Sequence, residues 1–225
     1  KEVILFPVDL ADPQSIRKVV EAIKNQYEII DVLVNNAGLH KAKRVETSDG
    51  LEMTFAVNYL APFMLSELLL GNLEASGNGR IVNVNSDVYK GGSIDLDDLM
   101  MKKGYKAGDA YTNSKLANIL NTIELAKRAS NKDITVNAMH PGVLATDVFR
   151  DYPAWIMKFV NLLLEKPEKG GERIAYLAIS DEVKEITGSY FYKTEKKDFK
   201  VSDENLNKSE KLWQIAEELT GGAAS

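Results

Sequence analysis

The sequence predicts an α/β fold, a doubly wound, mostly parallel sheet with helices on both faces. Three observations carry that expectation. Short β-branched runs alternate with amphipathic helical stretches along the chain, which is the pattern of a parallel sheet. Runs such as IIDVLVN are apolar almost throughout, as strands covered on both faces are. Four of the runs are followed at once by a short polar or glycine-containing sequence: DL at 9–10, NNAG at 35–38, NSD at 85–87 and HPG at 140–142. In an open parallel sheet these lie beyond one carboxyl edge, where ligands bind. One ligand site is a simpler reading than four unrelated turns.

Each element has its own justification. VILFPV (3–8) has strand composition and length. Asp12 ahead of Pro13 supplies a cap and a proline at the first helical position, and Ile16, Val19, Val20 and Ile23 share one face of the helix that follows. IIDVLVN (29–35) is the second strand. Thr47 or Ser48 is placed to cap a helix carrying Leu51, Phe55, Asn58, Leu65 and Leu68. GRIVNVNS (79–86) is a strand, a helix follows through 109–129, and ITVNAM (134–139) is the next strand. Helical patterns cover 153–165 and 168–180, SYFY (189–192) is a last short strand, and 206–219 has helical periodicity. No repeat, low-complexity segment or linker interrupts the chain, so 1–225 is expected to be a single domain.

Composition narrows the function. An apolar share of 44% and a charged share of 27% suit a soluble globular domain. The net charge of −5 argues against nucleic acid as a partner. Without cysteine there is no disulfide or thiol catalysis, and an intracellular, cytoplasmic setting is expected. The two histidines, His40 and His140, are far apart in sequence, so no metal site is expected. The opening KEVILFPVDL has no initiator methionine and no signal-peptide pattern.

In DAYTNSK (109–115), Tyr111 and Lys115 are one helical turn apart and share a face. A free phenol titrates near 10 and is a poor acid–base catalyst at neutral pH, but a nearby ammonium stabilises the phenolate. The pair is then a proton donor and acceptor tuned toward physiological pH. On spacing alone, a surface lysine beside a half-buried tyrosine is the better reading. Ser86 ends a strand, where its hydroxyl can reach a carbonyl oxygen or cap a turn. Asn58 interrupts the apolar helical pattern FAVNYLAPF, where its amide either distorts the helix or sits satisfied in the core.

Together these residues resemble the short-chain dehydrogenase/reductase family over essentially the whole chain. The resemblance rests on NNAG, VNYLAPF, Ser86, YTNSK and HPGVLAT in that order. IDLDDL between Ser86 and Tyr111, SKLAN, and HPGV ahead of a threonine look like its retinol-dehydrogenase-like branch. It implies a Rossmann-like fold and an oxidoreductase that moves a hydride between a nicotinamide cofactor and a lipophilic aldehyde, ketone or alcohol. It implies Tyr111 as general acid/base, with Lys115 lowering its pKa and binding the nicotinamide ribose. Ser86 would steady the substrate oxygen, and Asn58 would hold a water linking Lys115 to solvent. Asp9 and Leu10 would meet the adenine, Asn35, Ala37 and Gly38 would pass its ribose, and Pro141, Gly142, Val143 and Thr146 would hold the carboxamide and phosphate end. His140 reads as structural, and His40 as a loop residue within reach of substrate.

The family opens with a strand, a TGxxxGxG turn and a helix whose N-terminus takes the pyrophosphate. None of these is present, so the chain is expected to start at the family's third strand, as a fragment of a longer protein. The residues that separate NADP from NAD lie in that region. The expectation of NADP(H), with NAD(H) as the alternative, therefore comes from the branch resemblance. Residues 147–166 are the expected substrate lid, whose apolar residues suit a lipophilic substrate, with membrane contact as a minor option. A homodimer through the helices at 51–70 and 109–129 is a further expectation of the resemblance. The alternative reading is a non-catalytic regulatory or scaffolding protein on the same fold, motivated by the missing glycine-rich turn. A serine hydrolase using Ser86 and His140 is disfavoured, because no G-x-S-x-G occurs.

Overall fold

A computed structural model describes residues 2–142 and 165–222. Their strands β1 (Val32–Asn35), β2 (Gly79–Val84), β3 (Ile134–His140), β4 (Ser189–Tyr192) and β5 (Glu195–Lys197) form one sheet in that order. The first four are parallel, so Asn35, Val84 and His140 end at the same edge. β5 returns antiparallel from β4 through a turn in which Lys193 takes φ 59. That hairpin has no apolar run to announce it, since Glu195–Lys197 is exposed.

Helices cover both faces, as a sheet apolar on both sides requires. On one face lie α1 (Pro13–Gln26), α2 (53–68) and α4 (Ala107–Arg128), and their core includes Ile16, Phe63, Ile81, Leu116, Val136 and Ala138. α2 runs from Met53–Phe55 through a π-helical turn, Ala56–Leu60, into Ala61–Leu68. The short α3 (Leu70–Glu74) leads into β2. On the other face α5 (Pro167–Ile179) packs over Val82, Met139 and Phe191, with Leu177 facing them. The two-residue alternation of β2 sorts the faces: Ile81 belongs to the first core and Val82 to the second.

The chain ends in α6 (Asp203–Leu206) and α7 (Ser209–Leu219). Trp213 stands edge-on to Phe63 of α2 at 4.8 Å, and the Arg128 guanidinium of α4 lies 4.5 Å from its ring centre. The Tyr59 hydroxyl of α2 donates to the Leu212 carbonyl. The C-terminal helix thus packs against part of both helices expected to form a dimer. Among the described residues no helix is long and apolar enough to cross a membrane.

The structure departs from the expected elements at three places. Residues 3–8 are not a strand. Val3 and Leu5 are 94% and 85% exposed while Phe6 leans on the core, and composition alone makes no strand without a ladder partner. The helix expected to be capped by Thr47 or Ser48 begins instead at Met53, because Asp49–Gly50 closes a turn. Gly50 takes φ +76, and Thr47 and Leu51 pair through their backbones at 2.8 Å. Glu52 then caps α2, its carboxylate accepting from the Thr54 and Phe55 amides at 2.9 and 2.7 Å. The tail helix is broken into α6 and α7, with Ser202 capping the first.

Candidate active site

α4 starts beside the carboxyl edge of the sheet, so its second turn presents Tyr111 and Lys115 to the strand ends. The Lys115 ammonium lies 5.7 Å from the Tyr111 ring centre and donates to the Val84 carbonyl, the last of β2, at 3.2 Å. It is 5% exposed, and burial lowers its pKa to about 8. Ser86 caps no helix with its side chain; its hydroxyl lies close enough to the Tyr111 phenol to influence its titration. Burial holds that phenol above its ordinary value, and the Ser86 hydroxyl opposes the rise. The sequence reading had Lys115 lowering it. In the structure the ammonium stands over the ring and points to Val84.

Asn58 shows what the interruption in FAVNYLAPF does. It lies in the π-helical turn, where Ala61 donates to the carbonyl five residues back, and it is 1% exposed. Its side-chain carbonyl accepts from the Leu39 amide at 2.8 Å, and its NH₂ donates to the Leu39 carbonyl at 2.9 Å and to Ser114 Oγ at 3.0 Å. The amide side chain therefore braces the loop after β1 against α4. Ser114 in turn donates to the Tyr111 carbonyl at 2.7 Å.

Gly38 lies in that loop beside Asn58 and Lys115. A Cβ there would stand 3.4 Å from Asn58 Oδ1 and 3.5 Å from Lys115 Nζ, so glycine keeps clear the space over the lysine. Ala37 is exposed beside it. Asn35 turns away from the edge, its NH₂ donating to Ser66 Oγ at 3.1 Å and to Asn83 Oδ1 at 2.8 Å. Only its backbone is available to a ligand there.

Pro141 and Gly142 follow β3. The Pro141 carbonyl accepts from Arg173 at 2.6 Å, and Arg173 and Lys193 both pair with Glu165, at 2.5 and 2.8 Å. Those partners hold the Glu165 carboxyl down at about 2. Asp9 is exposed, and its carboxylate folds back onto the Ala11 amide at 2.9 Å, while Leu10 leans on the core. Val143, Thr146 and the expected lid lie outside the described residues, Glu165 and Lys166 excepted.

Two contributors, Asn85 and Asn118, escaped the sequence reading, and a third, His40, expected in a loop within reach of substrate, lies at the site. Asn85 donates to the Lys115 carbonyl at 3.0 Å while its own side-chain oxygen takes the Ser86 amide at 2.7 Å. Asn118 donates to the Asn58 carbonyl at 3.1 Å. His40 is buried with its ring 5.4 Å from that of Tyr111. A signal for Asn118 existed: Tyr111, Ser114, Lys115, Asn118 and Thr122 form a polar stripe at spacings of three and four on a helix buried nearly all round. For Asn85 nothing in the sequence separates it from a turn residue.

The profile of the family described as short chain dehydrogenase matches residues 1–156. Human retinol dehydrogenase 14 is 39% identical over 228 residues, covering 98% of this chain and 67% of its own. The chain thus spans about two thirds of that relative's length. Among solved structures, an uncharacterized protein from Mycobacterium paratuberculosis superposes with a TM-score of 0.74 at 28% identity, over 96% of this chain and 74% of that one. A Brucella ovis oxidoreductase crystallised with a partially ordered NAD gives 0.55 at 28% identity, over 82% and 76%.

Proposed function

Since the chain belongs to the short-chain dehydrogenase family and is an NAD(P)-dependent dehydrogenase or reductase, we propose that it interconverts a lipophilic aldehyde or ketone and its alcohol with Tyr111 as general acid/base. The observation that carries this reading is the buried ammonium of Lys115 5.7 Å from the Tyr111 ring centre at the end of β2, with the Ser86 hydroxyl near the phenol. A substrate oxygen accepting from both hydroxyls would be polarised and protonated from one side. When bound, the nicotinamide supplies or accepts the hydride.

The residues fit that cofactor. Gly38 clears the approach to Lys115, and Val84 takes one of the ammonium's three donors, so the lysine is suited to ribose hydroxyls. Asn58 fixes the loop that carries Gly38. Pro141 and Gly142 would border the carboxamide, with Val143 and Thr146 beyond them. Asp9 and Leu10 would border the adenine, and Ala37 and the Asn35 backbone its ribose. Asn58 would also hold the water that passes protons to Lys115.

NADP(H) as preferred cofactor and a lipophilic substrate rest on likeness to the retinol dehydrogenases. The single domain over 1–225 and the substrate lid at 147–166 belong to the same reading, as does the cytoplasmic setting. The packing of α7 against part of α2 and α4 favours a monomer over the homodimer, and sedimentation of the purified chain decides between them. The deciding assay is reduction of all-trans-retinal and of medium-chain aldehydes with NADPH and with NADH, on protein from the complete reading frame. Turnover that Tyr111→Phe abolishes supports the proposal. Equal turnover in that variant refutes it.

A further inference from the structure

Asp87, next to Ser86, is gripped from two sides. The Tyr190 hydroxyl of β4 donates to one carboxylate oxygen at 2.5 Å, and the Lys90 ammonium donates to the other at 2.6 Å. Burial pushes the Asp87 carboxyl up, and the bonds from Lys90 and Tyr190 outweigh it and hold the group below the usual carboxylate range.

Tyr190 is built to make this contact. It is 1% exposed, its ring edge-on to Tyr89 at 5.2 Å and tilted against Phe199 at 6.1 Å. A ring so enclosed leaves only its hydroxyl to find a partner. Its register neighbour on β3 is Ala138, and Ala138 is paired with Asn83 of β2. Tyr190 thus reaches past a small residue to the loop that leaves β2.

The result is a turn held on both sides of Ser86. On one side Asn85 ties the strand end to Met139 and to the Lys115 carbonyl, at 2.6 and 3.0 Å. On the other, Asp87 ties the turn Asp87–Gly91 to β4. We propose that Asp87 and Tyr190 are positioning residues for Ser86, a latch from the fourth strand that fixes the turn carrying the serine and so aims its hydroxyl toward the Tyr111 phenol. This rests on the proposed roles of Ser86 and Tyr111. Two donors must meet one substrate oxygen, and a misplacement of about 1 Å costs up to roughly 100-fold in rate.

The test is Tyr190→Phe, which keeps the ring and deletes the hydroxyl, with Asp87→Asn as a second variant that keeps shape and removes charge. Each is measured alone and combined with Ser86→Ala. Tyr190→Phe is expected to lower kcat on the best carbonyl substrate by roughly 10- to 100-fold while cofactor KM stays the same. It should add nothing when Ser86 is already alanine. Effects that multiply in the double variant would mean that Tyr190 acts on general stability, and would overturn the latch.

A readout that needs no turnover separates this from failure of the proposed function. In protein carrying ¹³C at tyrosine Cζ, the Tyr111 signal is assigned by its loss in Tyr111→Phe. Ser86→Ala shifts that signal, and Tyr190→Phe and Asp87→Asn should shift it in the same direction. A Tyr111 signal unmoved by both latch variants overturns the inference even where no substrate is turned over.

Discussion

Lys115 directs its ammonium to the carbonyl of Val84, 3.2 Å away, at a site where the side chain is 5% exposed and no carboxylate among the described residues pairs with it. A lone buried cation is costly, and its pKa of about 8 measures that cost.

The fold should therefore gain stability when the charge is removed. Below pH 8 the native lysine is protonated at a penalty, which fades as pH rises through 8 and is gone above the unfolded value of 10.5. Lys115→Met should raise unfolding free energy at pH 7 by about 2–3 kcal/mol, offset in part by the lost bond to Val84. Urea denaturation at pH 7 and 10.5 checks this: the gain should shrink at the higher pH. The same variant should lose cofactor affinity, measured by calorimetry.

Tyr111→Phe deletes the phenol and keeps the ring against His40, so melting temperature should hold. Carbonyl reduction should fall by roughly 10²–10⁴-fold. Reduction needs the protonated phenol, which burial holds above its ordinary value. The wild-type rate should thus stay level through neutral pH and fall only beyond the ordinary tyrosine range, as a pH–rate profile would record.

Asn58→Leu removes the partner of both Leu39 backbone groups and of Ser114. Orphaning buried groups costs about 1–3 kcal/mol each when no water replaces the bond. A melting temperature lowered by several degrees, with cofactor KM raised, is the expected outcome. A loss of stability without a change in KM would show that the loop after β1 does not meet the cofactor.

Gly38→Ala tests that loop more gently. The added methyl stands at ordinary contact distance from Asn58 and Lys115, so fold and melting temperature should persist. Cofactor affinity should drop about tenfold, the order of one poorly accommodated methyl group. Isothermal calorimetry with NADPH and NADH measures it.

Trp213→Ala strips the ring that packs on Phe63 and under Arg128. The cost should be about 3–5 kcal/mol, as for other buried aromatics. Because it uncovers part of α2 and α4, sedimentation should show stronger self-association than in the wild type.

The order of the parallel strands β1 to β4 and of the helices between them was legible from residue patterns, and so was the single edge at which those strands end. Alternation and helical spacing record which side of an element is buried, and parallel strands end at one edge whatever their partners. Tyr111 beside Lys115 was legible for the same reason, since a four-residue spacing on a helix decides that contact locally. Only the tertiary structure decided which groups those residues meet. That the turn carrying Ser86 is held on both sides depends on Lys115 bonded to Asn85 and on Tyr190 bonded to Asp87, the latter pair 103 residues apart in sequence. That Asn58 braces Leu39 depends on a loop placed by β1, and that residues 3–8 take no place in the sheet depends on pairing that composition cannot supply. A hydrogen bond needs two groups brought within about 3 Å, and chain-distant groups meet at that distance only once the whole core has packed.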